Sequence, residues 1–227
     1  RCNIKYYQAS SSEMFGNVIN KCTNKTKFNP LSPYAISKLS AHQLTINYRR
    51  NYKLFACNGI LFNHESPLRD KRYVSKKIIK NLIRYKNSKK FTFELGNINA
   101  KRDWGHAKDY VKAMHLILQS KHPNDFIITS GINYSIREFI NIACERLNIK
   151  ASWKGSGLNE RLFDEENNCI IIKINKNLFR PLDLNNSHGC NKNAKKILRW
   201  KCKFSFINLI DEMIDFEKKC QRFKITL

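Results

Sequence analysis

Apolar and polar positions along the 227-residue chain follow two different periods. Short apolar runs rich in β-branched and aromatic residues predict strands, and longer segments with apolar residues three or four apart predict helices. The predicted strands lie at about 4–10, 54–62, 91–95, 126–129, 149–153 and 169–174. The predicted helices span about 33–51, 71–86, 107–120, 135–147, 192–198 and 205–218, and a loop is expected over 154–168.

Two helix starts carry clear local signals. Ser32 is a predicted N-cap with Pro33 at the first helical position, and Ser135 with Glu138 has the spacing of a capping box. Strands that alternate with helices of this length predict an α/β fold with a mainly parallel sheet. Ligands of such sheets bind beyond the carboxyl ends of the strands, so chemistry is expected after Ser10, Phe62 and Leu95.

The charge balance narrows the choice of partner. The chain has 42 Lys and Arg residues against 18 Asp and Glu residues, a formal net charge of +24. Such an excess suits nucleic acid, an anionic membrane or a phosphorylated substrate. The basic residues are spread along the chain, and no helix-turn-helix, zinc-finger, RRM or basic-region pattern accompanies them. We therefore expect no nucleic-acid partner, and a steep salt dependence of DNA or RNA binding would reverse that expectation.

Two further classes are disfavoured. No segment reaches the roughly 18 consecutive apolar residues of a membrane helix, so no membrane partner is expected. The eight cysteines include no CxxC pair, which argues against a zinc site and a dense disulfide module and favours reduced thiols in a cytoplasmic protein. No metal is expected, because metal-ligand spacing is absent around His42, His106, His115, His122 and His188.

The strongest chemical constellation combines Ser11 and Glu13 at the end of the first predicted strand with Tyr34 and Lys38 on the first helix. Tyr34 and Lys38 are four residues apart and share one helix face. An ammonium group near a phenol stabilises the phenolate, so this pair can supply a general base, and Ser11 can hold the hydroxyl being deprotonated. A YxxxK spacing alone is common on helix surfaces. Its position after a Ser-Pro helix start and a Ser-Ser-Ser-Glu strand end favours an oxidoreductase-like site.

Four sequence blocks extend this interpretation, because they resemble the GDP-mannose 4,6-dehydratases, a family of extended short-chain dehydrogenases/reductases. The blocks are QASSSEMFG at 8–16, SPYAISK at 32–38, NGILFNHESP at 58–67 and GNINAKRDWGHA at 96–107. The resemblance covers nearly the whole chain and fades in 152–176 and the last residues. It implies the C-terminal part of a Rossmann-type parallel sheet, over 1–130 with substrate-domain segments interleaved from about 63–105, and a smaller α/β substrate-binding domain over most of 131–227.

The resemblance also implies a reaction and a role for each residue of the site. NADP⁺ takes a hydride from C4 of GDP-mannose while Tyr34 deprotonates the C4 hydroxyl. Glu13 removes the C5 proton as the C6 hydroxyl leaves, and the hydride returns to C6. Ser11 stands where relatives usually have Thr, and Lys38 also holds the nicotinamide ribose. His64 and Arg69 match cofactor contacts. The positions that match the GDP-mannose site are Asn63, Val74, Lys77, Leu95, Gly96, Arg102, Arg180 and Asp183.

Departures from the family pattern leave other interpretations open. Asp70 replaces a second Arg in a loop that reaches a neighbouring subunit in relatives, and near the substrate Leu178 replaces Tyr and Asp183 replaces Glu. The chain also lacks the Gly-rich βα turn that binds the NADP pyrophosphate, since Gly155 and Gly157 form only a lone GxG. We therefore expect a C-terminal portion of a longer protein, or a shortened gene model, that binds NADP⁺ poorly alone and forms a dimer or tetramer when full length. The alternatives are a non-catalytic binding module and another sugar-nucleotide dehydratase or epimerase.

Overall fold

A computed structural model of the chain describes residues 4–179, 184 and 186–223. The strands are β1 Lys5–Ser11, β2 Phe55–Leu61, β3 Asn63–Glu65, β4 Phe93–Leu95, β5 Lys101–Arg102, β6 Trp104–His106, β7 Asp125–Ile128, β8 Tyr134–Ser135, β9 Ala151–Lys154, β10 Arg161–Asp164 and β11 Ile170–Ile174. The α-helices are α1 Pro33–Asn51, α2 Val74–Ser88, α3 Ala107–Leu118, α4 Ile136–Arg146, α5 Lys192–Leu198 and α6 Phe206–Arg222. Short 3₁₀ helices cover Ser12–Phe15, Gly157–Asn159 and Lys176–Leu178.

The predicted α/β fold class and all six helices are confirmed, but the loop expected over 154–168 is wrong because it contains β10. Of the two residues of β10 that point inward, Leu162 is apolar and Asp164 is charged. The Asp164 carboxylate is buried, and the cost of burying it is offset by hydrogen bonds from the Tyr85 hydroxyl at 2.7 Å and from the backbone N–H of Glu166 at 2.9 Å. A charged residue at an inward position removes the alternation by which a strand is recognised.

The chain divides into two compact units, each made of three segments. Unit 1 comprises 1–64, 101–133 and 184–205. Its sheet has the order β1-β2-β7 and is fully parallel, with Ser11 opposite Leu61 and Asn58 opposite Asp125. Successive residues of β2 and β7 point to opposite faces, so the sheet has apolar packing on both sides. On one face Cys57 and Phe126 pack with α3 and α5, and on the other Ile60 and Ile127 pack with the segment after β1.

The segment 184–205 belongs to unit 1, although it lies within 131–227, most of which was predicted to form the substrate-binding domain. Leu198 and Trp200 join the apolar cluster around Tyr110 of α3. The Trp200 indole N–H donates to the backbone oxygen of Asp109 at 2.8 Å. The long-range packing of this aromatic side chain, rather than its position in the chain, decides to which unit the segment belongs.

Unit 2 comprises 65–100, 134–183 and 206–227. Its four-stranded sheet has the order β4-β11-β10-β9, with β11 parallel to β4 and β10 antiparallel to both of its neighbours. The expected parallel arrangement therefore applies to unit 1, whereas the sheet of unit 2 is mixed. Helices α2, α4 and α6 pack against one another, and no helix in the described parts of the chain is both long enough and apolar enough to cross a membrane.

Gly59 of β2 allows the Tyr7 side chain of β1 to lie against the sheet. A Cβ atom on Gly59 would lie 2.1 Å from the Tyr7 hydroxyl oxygen. We expect Gly59→Ala to lower the free energy of unfolding by about 1–3 kcal/mol, because an overpacked site displaces its neighbours. Urea unfolding of the chain measures this loss. In a Tyr7→Leu background the same change is expected to cost much less, and an equal cost in both backgrounds would contradict the explanation.

Candidate active site

The carboxyl end of β1 carries the first two predicted catalytic residues. The strand ends at Ser11, whose side-chain oxygen accepts the backbone N–H of Glu13 at 3.2 Å and so caps the 3₁₀ helix Ser12–Phe15. Ser11 is buried and Glu13 is half-buried. No ion pair among the described residues involves the Glu13 carboxylate.

Helix α1 carries the other two predicted catalytic residues. Ser32 caps it by accepting the Ala35 N–H at 3.1 Å, as expected from the sequence. Tyr34, in the first turn, is 51% exposed, and Lys38 is half-buried one turn later. The Lys38 ammonium donates to the backbone oxygen of Ala9 at 2.9 Å and lies 5.7 Å from the centre of the Tyr34 ring.

Unit 1 thus assembles these four side chains from three neighbouring elements, β1, the 3₁₀ helix Ser12–Phe15 and α1. Helix α1 packs against the 3₁₀ helix that holds Glu13, and Lys38 binds β1 two residues before Ser11. A phenol beside an ammonium, a hydroxyl and a carboxylate are the groups that deprotonating an alcohol and then a carbon acid requires. The arrangement can therefore support alcohol oxidation followed by elimination.

A buried polar network that was not predicted from the sequence lies next to this site. The Ser10 hydroxyl is 2.9 Å from Nδ1 of His42 and donates to the Asn58 side-chain oxygen at 3.3 Å. The Asn58 amide donates to Asp125 at 2.7 Å, and Asp125 receives two hydrogen bonds of 2.8 Å from Arg49. Two features of the sequence could have indicated this network. His42 follows Lys38 by one helical turn, and Asn58 opens the NGILFNHESP block.

Electrostatics explain the protonation states in the network. Burial lowers the pKa of His42, and the positive charge of Arg49 acts in the same direction while Asp125 opposes it. Burial alone would raise the pKa of Asp125, but hydrogen bonds from Arg49 and Asn58 hold it below its usual value. The network therefore combines a neutral imidazole with an ionised Arg–Asp pair.

Three further predicted site residues lie in unit 1. Asn63 and His64 follow the end of β2, and Nδ1 of His64 lies 2.9 Å from the backbone oxygen of Phe62. The His64 ring stacks on Tyr110 with 4.7 Å between ring centres. Arg102 is half-buried, and its guanidinium donates to the backbone oxygens of Lys101, at 2.9 Å, and Leu184.

Unit 2 brings together four predicted substrate-binding residues. Val74 and Lys77 occupy the first turn of α2, and the Lys77 ammonium donates to the backbone oxygen of Glu94 in β4 at 2.8 Å. Leu95 ends β4, and Gly96 follows it. A Cβ atom on Gly96 would lie 2.4 Å from the Leu178 backbone oxygen, so only glycine fits without displacing the chain. Arg180 and Asp183 lie outside the described residues.

Two departures from the family pattern lie on the surface of unit 2. Asp70 binds Arg72 through its side chain at 2.9 Å, and these hydrogen bonds hold the pKa of Asp70 below its usual value. The carboxylate is therefore ionised, in keeping with the charge reversal noted in the sequence. Leu178 is half exposed at the end of a 3₁₀ helix beside Gly96.

Arg69, a predicted cofactor contact, lies against the buried carboxyl of Glu65. Arg69 Nε lies 3.0 Å from Oε2 of Glu65, and the guanidinium stacks on the Tyr73 ring at 3.5 Å. Burial raises the pKa of Glu65 to about 7, although the Arg69 charge and the neighbouring Ser75 hydroxyl act in the opposite direction. In the unfolded chain this carboxyl ionises near its ordinary value of 4.5.

The Glu65 carboxyl makes stability depend on pH in the neutral range. Glu65 keeps its proton up to about pH 7 in the folded state, but it loses the proton near pH 4.5 in the unfolded state. The stability that Glu65 contributes to the fold is therefore complete below pH 4.5 and is lost as the pH rises through 7. We expect Glu65→Gln to remove a decline in the free energy of unfolding of about 3 kcal/mol between pH 5 and pH 8. Urea unfolding across this range measures it. Parallel pH profiles for the two proteins would contradict this origin.

Comparison with known proteins identifies the family. The family model for GDP-mannose 4,6 dehydratase matches residues 1–213. GDP-mannose 4,6 dehydratase of Drosophila melanogaster is 39% identical over 221 residues, covering 97% of this chain and 56% of that protein. The Dictyostelium discoideum protein of the same name is 42% identical over 212 residues, covering 93% and 60%. The chain therefore spans somewhat more than half the length of these relatives.

Solved structures agree on the fold. RMD from Pseudomonas aeruginosa complexed with NADPH matches with a TM-score of 0.78 at 17% identity, over 95% of this chain and 66% of that one. dTDP-glucose 4,6-dehydratase from Bacillus anthracis in complex with NAD also has a TM-score of 0.78, at 18% identity, over 96% and 63%. At these identities the structures support a Rossmann-type α/β fold. The match of the family model to residues 1–213 shows that the chain belongs to the GDP-mannose 4,6-dehydratase family.

Proposed function

We propose that the protein containing these residues catalyses the NADP-dependent dehydration of GDP-mannose to GDP-4-keto-6-deoxymannose, the first step of de novo GDP-fucose synthesis. The observation that carries this proposal is the assembly of Ser11, Glu13 and the Tyr34–Lys38 pair at one strand end, in a chain of this family. The sugar-nucleotide positions Val74, Lys77, Leu95 and Gly96 support it because α2 and β4 bring them together in unit 2.

The residues of the chain divide the acid–base work. Tyr34, with the Lys38 ammonium close to its ring, takes the proton of the C4 hydroxyl, and the Ser11 hydroxyl holds that oxygen. A bound nicotinamide cofactor supplies the acceptor for the C4 hydride and its return to C6. The C4 ketone makes the C5–H acidic, so the Glu13 carboxylate removes that proton while the C6 hydroxyl departs. C5 takes up a proton as the hydride arrives at C6. The C4 hydroxyl proton and the departing C6 hydroxide therefore make the one water that is lost, and no net oxidation occurs.

The hydrogen-bond donors of the site suit the nicotinamide end of NADP. The exposed Tyr34 hydroxyl and the Lys38 ammonium are suited to the nicotinamide ribose, and His64 and Arg69 are further candidate contacts. In the described residues of unit 1 no Gly-rich turn joins a strand of the parallel sheet to a helix. The pair Gly155 and Gly157 follows β9 in the mixed sheet of unit 2, so it does not supply that turn.

Self-association is the second part of the proposal. Helix α1 and the C-cap residue that follows it expose four large side chains at intervals of four or eight residues, and this apolar face suits a second copy of the protein as its partner. They are Ile36, Leu44, Tyr48 and Tyr52. We expect a dimer or tetramer by light scattering and a monomer after Leu44→Lys, whereas Val111→Lys, at an exposed apolar side chain of α3, is the matched control. An unchanged mass for Leu44→Lys would contradict the use of this face.

The test of the activity begins with the complete open reading frame that contains these residues. Its product is incubated with GDP-mannose and either NADP⁺ or NAD⁺, and the sugar nucleotide is analysed by mass spectrometry. We expect loss of one water with NADP⁺, no reaction of dTDP-glucose, and binding of neither DNA nor membranes. Cytoplasmic location is a prediction from the scattered cysteines. Binding of GDP-mannose without conversion would instead favour a non-catalytic relative.

A further inference from the structure

Helix α1 is joined to β1 at two consecutive residues of the strand, immediately before Ser11. The Lys38 ammonium donates to the Ala9 backbone oxygen at 2.9 Å, and Nδ1 of His42 lies 2.9 Å from the Ser10 hydroxyl. Tyr34, Lys38 and His42 follow one another at intervals of four residues, so they share one face of the helix. The contact between His42 and Ser10 is therefore the next anchor along the same face, one turn beyond the predicted catalytic pair.

The second anchor is rigid. His42 is 2% exposed, and its ring meets that of Phe28 edge-on with 5.2 Å between ring centres. Behind Ser10, the side chain of Asn58 connects to Asp125, which the Arg49 guanidinium holds with two hydrogen bonds. A buried network of this kind favours one arrangement of its members, because a displacement breaks hydrogen bonds between groups that water does not reach.

We propose that His42 is a positioning residue, which fixes the distance of α1 from the end of β1 through its hydrogen bond with Ser10 and so holds Tyr34 and Lys38 beside Ser11. This inference rests on the proposed function, in which those three residues act on one hydroxyl of the substrate. A misplacement of about 1 Å costs about 10²-fold in rate, so a rigid anchor one turn away matters for catalysis. A purely apolar residue would fill the same space without setting this distance.

The test uses the full 227-residue chain without substrate or cofactor. His42→Leu removes the hydrogen bond, whereas His42→Asn keeps a hydrogen-bonding group near the position of Nδ1. Thr45→Val is the matched control, because Thr45 is buried on the same helix and its hydroxyl donates to Ala41 of that helix at 2.9 Å. Two readouts report the site: the Tyr34 ring signals with their nuclear Overhauser effect to the Lys38 side chain, and the acetylation rate of Lys38 by peptide mass spectrometry.

In His42→Leu we expect the Tyr34 ring signals to shift and the nuclear Overhauser effect between Tyr34 and Lys38 to disappear. The acetylation rate of Lys38 is expected to rise about fivefold, which corresponds to the free energy of one lost hydrogen bond. His42→Asn is expected to restore both readouts, and Thr45→Val to leave both unchanged. A folded His42→Leu variant in which both readouts are unchanged would overturn the proposal. A Thr45→Val variant that changes both readouts as much as His42→Leu does would overturn it as well.

A second variant covers the case in which His42→Leu does not fold. Ser10→Ala removes the same hydrogen bond from the strand side with a small loss of volume, and it is expected to change both readouts in the same direction. Unchanged readouts in folded Ser10→Ala would also overturn the proposal. Because neither measurement needs turnover, the absence of GDP-mannose dehydration would contradict the proposed function and leave the anchoring role of His42 to be decided separately.

Discussion

Replacement of Glu13 by Gln is expected to lower kcat for GDP-mannose dehydration by about 10²–10⁴-fold, the range that a positioned general base contributes. Glutamine keeps the size of the side chain and its place in the 3₁₀ helix Ser12–Phe15, but it cannot accept the C5 proton. The complete protein is assayed in D₂O, where deuterium at C5 of the product reports this proton transfer. Exchange at C5 is expected to be lost together with product formation.

Two comparison variants separate the steps of the reaction. Tyr34→Phe is expected to abolish oxidation at C4, so that no reduced cofactor forms, whereas Glu13→Gln still permits that oxidation. Glu165→Gln neutralises an exposed carboxylate of unit 2 and is expected to leave the rate unchanged. A Glu13→Gln enzyme that retained C5 exchange at the wild-type rate would show that another group removes this proton.

Glu217→Gln is expected to lower the free energy of unfolding by about 3–5 kcal/mol, because it leaves a buried ammonium without its counter-charge. The side chains of Lys76 in α2 and Glu217 in α6 are 6% and 7% exposed, and their charged atoms are 3.0 Å apart. Lys76 also donates to the Pro67 backbone oxygen at 3.0 Å, which orients the ammonium but does not neutralise it. Urea unfolding at pH 7 measures the loss.

Burial, rather than the presence of an ion pair, is the cause of this large effect. Arg146 and Asp211 pair at 3.0 Å with side chains 42% and 38% exposed, so Asp211→Asn is expected to cost less than about 1 kcal/mol. The double variant Lys76→Met/Glu217→Met is expected to be close to the wild type, because it removes both charges and fills the space. Equal losses for Glu217→Gln and Asp211→Asn would contradict the argument.

Local signals account for what the sequence predicted well. Ser32 and Pro33 specify the start of α1 within one turn, and Ser135 with Glu138 forms the predicted capping box at α4. In both cases a side chain binds the backbone only three residues away, so neighbours in sequence contain all the information. The same holds for the family blocks, which carry Glu13 and Tyr34 as continuous motifs.

The features that were missed depend on long-range packing. Asp164 points into unit 2, where the hydroxyl of Tyr85, far away in sequence, donates a hydrogen bond to it. A charged residue at this inward position made β10 resemble a loop in the sequence. Trp200 places the segment 184–205 in unit 1 through its contact with α3. The spacing of apolar residues along the chain indicates neither the contact of Tyr85 with Asp164 nor that of Trp200 with α3.

The sequence by itself therefore determined the α/β class, the helices, the family and the candidate catalytic residues, because capping, periodicity and motifs act between near neighbours. Only the tertiary structure decided that His42 and Ser10 bond each other behind the site and that Glu65 is buried against Arg69. The physical reason is that the environment of a polar side chain, its desolvation and its partners, is set by elements that meet only when the chain has folded.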